Sequence, residues 1–337
     1  MRNFKRSRML LAAACTTAFA VMAGCGGDDA SEKPASGAAS GGGNAAELVK
    51  IKVGILPSAN AAPFHLGIKK GFFKEEGLDV EPQVMQGGSE LTTALVSGAT
   101  QISHLGVINE IIARSKGLPI KMITSYLEDE TDPEKSFMQV VVPKGSPIKS
   151  VKDLAGKTIA ANEVRAYGET VVKASLEKQG VDPNSIKITE IPFPEMPAAL
   201  AKGQVDAAWV LEPFLSIALA EGATRIDSPS VTLGGGKNFV DGGWIATEKY
   251  IASDRDIVDR FVRAMNKSTE YAAANEQEVR DIIPTVSKVK PEAAKTLRLP
   301  HFDTQLDPEL FQQAVDYVAK YGIIDRKPTR EELLLNP

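Results

Sequence analysis

The residues of this chain that can do chemistry are of a kind that grips rather than cuts. Arg165 lies in Asn162-Glu163-Val164-Arg165-Ala166-Tyr167-Gly168, after a strand pattern at 157–161 and ahead of a helix. A guanidinium there would hold a carboxylate or sulfonate by paired, charge-assisted hydrogen bonds, with Tyr167 stacking on or donating to the same solute. The alternative pairs Arg165 with Glu163 or Glu169 on the surface. In Gln86-Gly87-Gly88-Ser89, Gly87 and Gly88 let the backbone approach a ligand closely, while Ser89 reads as an N-cap. Ser58 and Asn60 can donate from the loop after the first strand, and Phe64 can form an apolar wall; a plain capping loop is the other reading. Gly106 follows the third strand, beside His104, which reads as a packing histidine before a ligand contact. Glu212, in Glu212-Pro213-Phe214, would accept from a ligand amine or from hinge backbone. Tyr126 could flank a ring, and Trp244 is either an aromatic wall or core. Phe193, between Pro192 and Pro194, is a further candidate for the cleft.

Bond-making chemistry finds little support. Cysteine occurs only at Cys15 and Cys25, and His65, His104 and His301 lie in unrelated contexts. There is no Gly-rich phosphate loop ending in Lys-Ser/Thr, no zinc-type His pair and no nucleophile elbow. The expectation is a binder without catalytic residues, cofactor or metal.

The elements that must position these residues alternate. Strand patterns at 49–55, 78–84, 101–105 and 120–126 are separated by helical stretches closed by Gly71 and Gly98, and a helix follows at 109–116. Pro133, in the charged run 128–135, marks a break. A second α/β segment runs to about 245, and the remainder is mainly helical, with Asp307 and Pro308 opening a late helix as N-cap and N1. Strands alternating with helices at this spacing predict mostly parallel sheets covered by helices.

The amino end predicts export. Arg2, Lys5, Arg6 and Arg8 precede an uncharged, mostly apolar run at 9–22, too short to span a bilayer, and Val21-Met22-Ala23-Gly24-Cys25 reads as a lipobox. Residues 1–24 are expected to be a lipoprotein signal peptide. Cys25 would carry a lipid anchor of acyl chains such as palmitate, and 25–46, rich in Gly, Ala and Ser, would be a flexible linker. Removing the signal takes away four basic residues, so 35 Lys and Arg face 43 Asp and Glu, a net charge of −8. That balance offers no bulk attraction for nucleic acid.

Four segments carry a resemblance: Gly71-Phe72-Phe73-Lys74-Glu75-Glu76-Gly77-Leu78-Asp79-Val80; Gly87-Gly88-Ser89 with Ala94-Leu95-Val96-Ser97-Gly98; Ile148 through Ala160; and Ala199 through Ala208, followed by Glu212-Pro213-Phe214. Over residues 49 to about 325 the chain resembles the substrate-binding lipoproteins of ABC importers in the nitrate/sulfonate/taurine group, which also holds thiamine-precursor and aromatic-acid binders. The resemblance implies a two-lobed periplasmic-binding-protein type II fold, each lobe a mostly parallel sheet flanked by helices, joined by two crossing hinge strands. Lobe 1 would comprise 47–137 and 246–337, and lobe 2 would comprise 138–245. It implies a monomer, anchored by lipid and facing the periplasm or cell exterior, that closes over a small organic anion, a sulfonate or a carboxylate, aromatic or aliphatic, and delivers it to permease and ATPase partners. A thiamine-pyrimidine precursor or nitrate is the alternative solute. A pyrimidine-synthase type of enzyme on the same fold is the rival class; it uses His and a Cys-rich loop, which the expected folded part lacks.

The lipobox reading gives a first test. Cys25→Ser should move the protein from the detergent phase to the aqueous phase in a Triton X-114 partition of cells, and an unchanged partition would remove the lipid anchor from the account.

Overall fold

The computed structural model describes residues 47–287 and 289–336. Cys25, the signal segment and the linker lie outside the described residues. Among those described, no helix is long and apolar enough to cross a membrane.

The first sheet is built from β1 (Val49–Ile55), β2 (Leu78–Val84), β3 (Ile102–Gly106) and β4 (Ile120–Glu128). Between them lie α1 (Ala62–Lys70), α2 (Phe72–Glu75), α3 (Gly88–Ser97) and α4 (Val107–Ser115). The chain then crosses to a second sheet of β5 (Met138–Val142), β6 (Thr158–Ala161), β7 (Lys187–Glu190), β8 (Ala207–Leu211) and β9 (Thr224–Asp227). Its helices are α5 (Tyr167–Lys178), α6 (Met196–Ala201), α7 (Phe214–Ala220) and α8 (Pro229–Gly234). It returns through β10 (Val240–Thr247), then α9 (Glu248–Ser253), α10 (Arg255–Ala274), α11 (Glu276–Val286), α12 (Pro291–Ala294), α13 (Pro308–Lys320) and α14 (Arg330–Leu333).

The strand orders are β2-β1-β3-β10-β4 and β7-β6-β8-β5-β9. β1 runs parallel to β2 and β3, and β6 parallel to β7 and β8, as alternating strands and helices require. In each sheet a strand that arrives by crossing is inserted antiparallel: β10 lies between β3 and β4, and β5 between β8 and β9. The return crossing therefore falls ahead of Val240, not at the expected boundary of 245/246. Gly242 and Gly243 are in the strand because nothing larger fits. A Cβ on Gly242 would come within 2.4 Å of the Leu105 carbonyl oxygen, and one on Gly243 within 2.6 Å of the Met122 sulfur.

The two crossings are tied to each other and held internally. The Asp129 N–H donates to the Phe239 carbonyl at 3.0 Å. The Asp129 carboxylate accepts from the Ser136 hydroxyl at 2.6 Å and from the Glu130 amide at 2.9 Å.

Behind the cleft, the first lobe packs an aromatic cluster. The Trp244 ring centroid lies 5.3 Å from Phe64, 5.2 Å from Tyr126 and 5.4 Å from Phe261. Trp244, Phe64 and Tyr126 are essentially fully buried, so all three serve as core rather than as walls open to a solute. Trp244→Ala should destabilise the protein by about 3–5 kcal/mol, as for other large-to-small core changes, read as a lower urea midpoint; a cost below about 1 kcal/mol would contradict this packing role.

Candidate functional site

The loops that leave the carboxyl ends of the strands converge between the two sheets, where open α/β folds bind ligands. They enclose a cavity of about 40 Å³, room for two or three waters at most. From the first lobe it is lined by Asn60, Gly88, His104, Gly106, Asn109 and Asp241, and from the second by Asn162, Glu163, Tyr167, Phe193 and Trp209. The lobes are thus drawn together, and anything larger than a few atoms requires them to part.

The contact that draws them together depends on how α3 begins. Its N-cap is Gly87, in extended backbone, with no side chain to satisfy the first amides. Ser89, expected as the cap, is the second residue of the helix. The free amides are met from the other lobe: the Glu163 carboxylate accepts from Gly88 N at 3.2 Å, Ser89 N at 2.9 Å and Asn109 Nδ2 at 3.1 Å. A carboxylate at a helix N-terminus also meets the positive end of the helix dipole. Both glycines are needed. A Cβ on Gly87 would lie 2.7 Å from Glu163 Oε1, and one on Gly88 only 2.3 Å from Asn109 Nδ2.

Deeper in the cavity, Asn60 Nδ2 donates to Asp241 Oδ2 at 3.3 Å. Asn60 Oδ1, His104 Nε2 and Trp209 Nε1 are buried without a partner. Buried polar atoms of this kind are rare in native proteins. Burial lowers the His104 pKa to about 4, so the imidazole is neutral at neutral pH. Burial raises Asp241 to about 7, and the Asp129 carboxylate adds to the rise. Asp129 is likewise raised to about 7, mainly by burial. Aromatic rings form the facing wall: Trp209 lies 5.8 Å from Tyr167 and 5.6 Å from Phe193, centroid to centroid. The Tyr167 ring crosses to the first lobe, where a Cβ on Gly106 would meet it at 3.1 Å.

Of the residues expected from sequence, Asn60, Gly88, Gly106 and Tyr167 line the cavity, whereas Ser89 lines the neighbouring groove that Arg165 borders. Phe64, Tyr126 and Trp244 lie behind it in the core, and Ser58 is buried outside its lining with its hydroxyl unpartnered. Glu212 is fully buried and engaged structurally, accepting from the Ser216 hydroxyl at 2.8 Å and from the Arg298 amide at 3.1 Å. Arg165 does not enter the cavity. Its backbone is left-handed, φ +53°, and its guanidinium donates outward to the Gly322 carbonyl at 2.8 Å. It borders a separate groove of about 420 Å³. Asn109, Asp241 and the role of Glu163 escaped the sequence reading. A lone acid in Phe239-Val240-Asp241-Gly242-Gly243-Trp244 was the one visible signal.

Two sheets of this order, linked by two crossings around a cavity lined from both sides, define the two-lobed fold of periplasmic binding proteins. The solved alkanesulfonate-binding protein SsuA from Xanthomonas axonopodis pv. citri, bound to MOPS, superposes with a TM-score of 0.70 at 19% identity, over 87% of this chain and 98% of that one. The chain belongs to the NMT1/THI5-like family, whose model matches residues 58–279. It is similar to the putative binding protein YtlA of Bacillus subtilis, 26% identical over 66% of each chain. It is also similar to the taurine-binding periplasmic protein of Escherichia coli, 26% identical over 60% of this chain and 61% of that one. The 4-amino-5-hydroxymethyl-2-methylpyrimidine phosphate synthase of Aspergillus parasiticus is 25% identical, over 66% of this chain and 67% of the enzyme. The matches thus span about two thirds of the length of these relatives.

The two raised carboxylates fix a pH dependence. Their folded pKa of about 7 lies above the ordinary 3.8, so the folded state holds protons that the unfolded state has lost. Their contribution to stability is greatest below about pH 4, falls as pH rises from about 4 to 7, and is flat above. Asp241→Asn should raise stability at pH 8 by on the order of 1–3 kcal/mol and change it less at pH 5, measured by urea unfolding. An equal effect at both values would contradict the raised pKa.

Proposed function

We propose that this protein is the exported solute-binding component of an ABC importer, capturing a small organic anion between its lobes and passing it to a permease and ATPase. The observation that carries the reading is the bare N-terminus of α3 with Asn109 beside it, three donors that already take a carboxylate, that of Glu163. Donors that suit a carboxylate also suit a sulfonate, and both lobes reach the cavity, so a bound solute favours closure over opening. The relatives described as binding proteins and the sulfonate-binding structure point the same way. Arg165 is left with a different part: reaching from the second lobe to the 322–323 carbonyls of the first, it helps to hold the closed form.

A binder is preferred to an enzyme of the pyrimidine-synthase type because the chain has Cys only at 15 and 25 and its cavity histidine is neutral and buried. One observation favours a second solute class. The Tyr167, Trp209 and Phe193 wall, opposite a buried Asp241, suits a flat ring that bears an amine, such as a pyrimidine.

A thermal-shift panel of sulfonates, nitrate, aromatic acids and aminopyrimidines separates these readings. A bound class stabilises by about 2.7 kcal/mol at a hundred times its Kd. A shift with sulfonates or carboxylates that Gly88→Ala abolishes is the expected result, because its Cβ would displace Asn109. A shift confined to aminopyrimidines would transfer the assignment to the second class, and product formed on incubation would overturn the binder.

A further inference from the structure

The carboxylate in the α3 cradle comes from the protein itself. Glu163 sits between β6 and α5 of the second lobe, and it bonds residues of the first lobe that lie 54 to 75 positions away in sequence. α3 is a full helix of 10 residues, so its N-terminus carries the amides and dipole of a genuine anion site. The cavity next to it is not merely a helix end. His104 Nε2 and Asn60 Oδ1, on residues 96% and 98% buried, line it and have no partner. Such atoms are costly to leave unmet, and they indicate a space built to receive polar groups of something else.

We infer that Glu163 is an internal competitor for the solute: it occupies the anion cradle of Gly88, Ser89 and Asn109 in the empty closed protein, and an entering anion binds by displacing it. This deepens the proposed function and rests on it in one respect, that the solute carries the anion. The assignment gives Glu163 a role in selectivity. Every solute must do better than a tethered carboxylate already in place. A weakly accepting anion does not, and a neutral acceptor, whose hydrogen bonds are about half as strong as charge-assisted ones, falls further short. Apparent affinity is reduced by the fraction of molecules whose cradle is free. If Glu163 fills it nine-tenths of the time, the apparent Kd is weakened about tenfold. Arg165, two residues on, keeps its own interlobe bond to Gly322 whether or not Glu163 is seated. Displacement therefore need not open the whole clasp.

The test compares full-length wild type with Glu163→Gln, which keeps the shape and removes the charge, and with Glu163→Ala. Without any solute, amide exchange at Gly88 and Ser89 should quicken in both variants, as donors that have lost their acceptor become open to water. With methanesulfonate, taurine and benzoate as probes, calorimetry should show whichever anion binds wild type binding Glu163→Gln about tenfold more tightly. Removing a merely closing contact would favour neutral and anionic solutes alike, so under competition the tightening should appear with the anions and be absent with a neutral aminopyrimidine. Equal or weaker anion binding by Glu163→Gln would overturn the competition and make Glu163 a closing contact or a ligand contact. Unchanged exchange at Gly88 and Ser89 would overturn the seating itself. Quickened exchange with no probe bound by any of the three proteins would overturn the anion assignment, and the competition with it, leaving an interlobe latch.

Discussion

A helix that cannot cap itself governs this structure. α3 begins at glycines, so its first amides have no side chain of their own to bond; Gly88 is buried at the lobe interface, while Ser89 beside it is exposed. Unmet buried amides are costly, and a carboxylate is the strongest ordinary acceptor available. Glu163 supplies it from the opposite lobe. The same shortage makes the place useful, since whatever satisfies it from outside must bring comparable negative charge. On the proposed reading, closure and capture draw on one set of donors.

The rest of the fold follows from keeping those donors in place while letting the two halves separate. The first lobe is stiffened directly behind the cavity by Trp244, Phe64, Tyr126 and Phe261, whose rings pack at 5.2–5.4 Å from that tryptophan. The second lobe presents its own aromatic layer of Tyr167, Trp209 and Phe193. Between them lie several polar groups, two of them perturbed by burial: a neutral imidazole at His104 and a carboxyl at Asp241 raised to about 7. On the proposed reading, a site of this composition would discriminate by charge at one end and by shape at the other.

Much of the fold was legible because periodicity is a local property. Strands expected at 49–55, 78–84, 101–105 and 120–126 are found at Val49–Ile55, Leu78–Val84, Ile102–Gly106 and Ile120–Glu128. Asp307 caps its helix as its side chain and Pro308 suggest, accepting from Glu309 N and Leu310 N. β10 carries no such alternation, because Gly242 and Gly243 have no side chains to alternate; the close approach of the neighbouring strands is what requires them. The site divides in the same way. Gly87 and Gly88 announce a close approach by their type alone. Glu163, Asn109 and Asp241 acquire their meaning only from partners far off in the chain, a relation that no local pattern encodes. Arg165 misleads because charge and loop position suit an anion equally well whether the side chain points in or out. Here the guanidinium is taken by the Gly322 carbonyl, outside the cavity.

The single bond between the Asp129 amide and the Phe239 carbonyl has a wider effect than its length suggests. It ties the outgoing and returning connections together, so any swing of one half against the other must carry both strands of the hinge at once. If solute closes the lobes as proposed, a pair of dyes on the outer faces would report filling as a change in one distance.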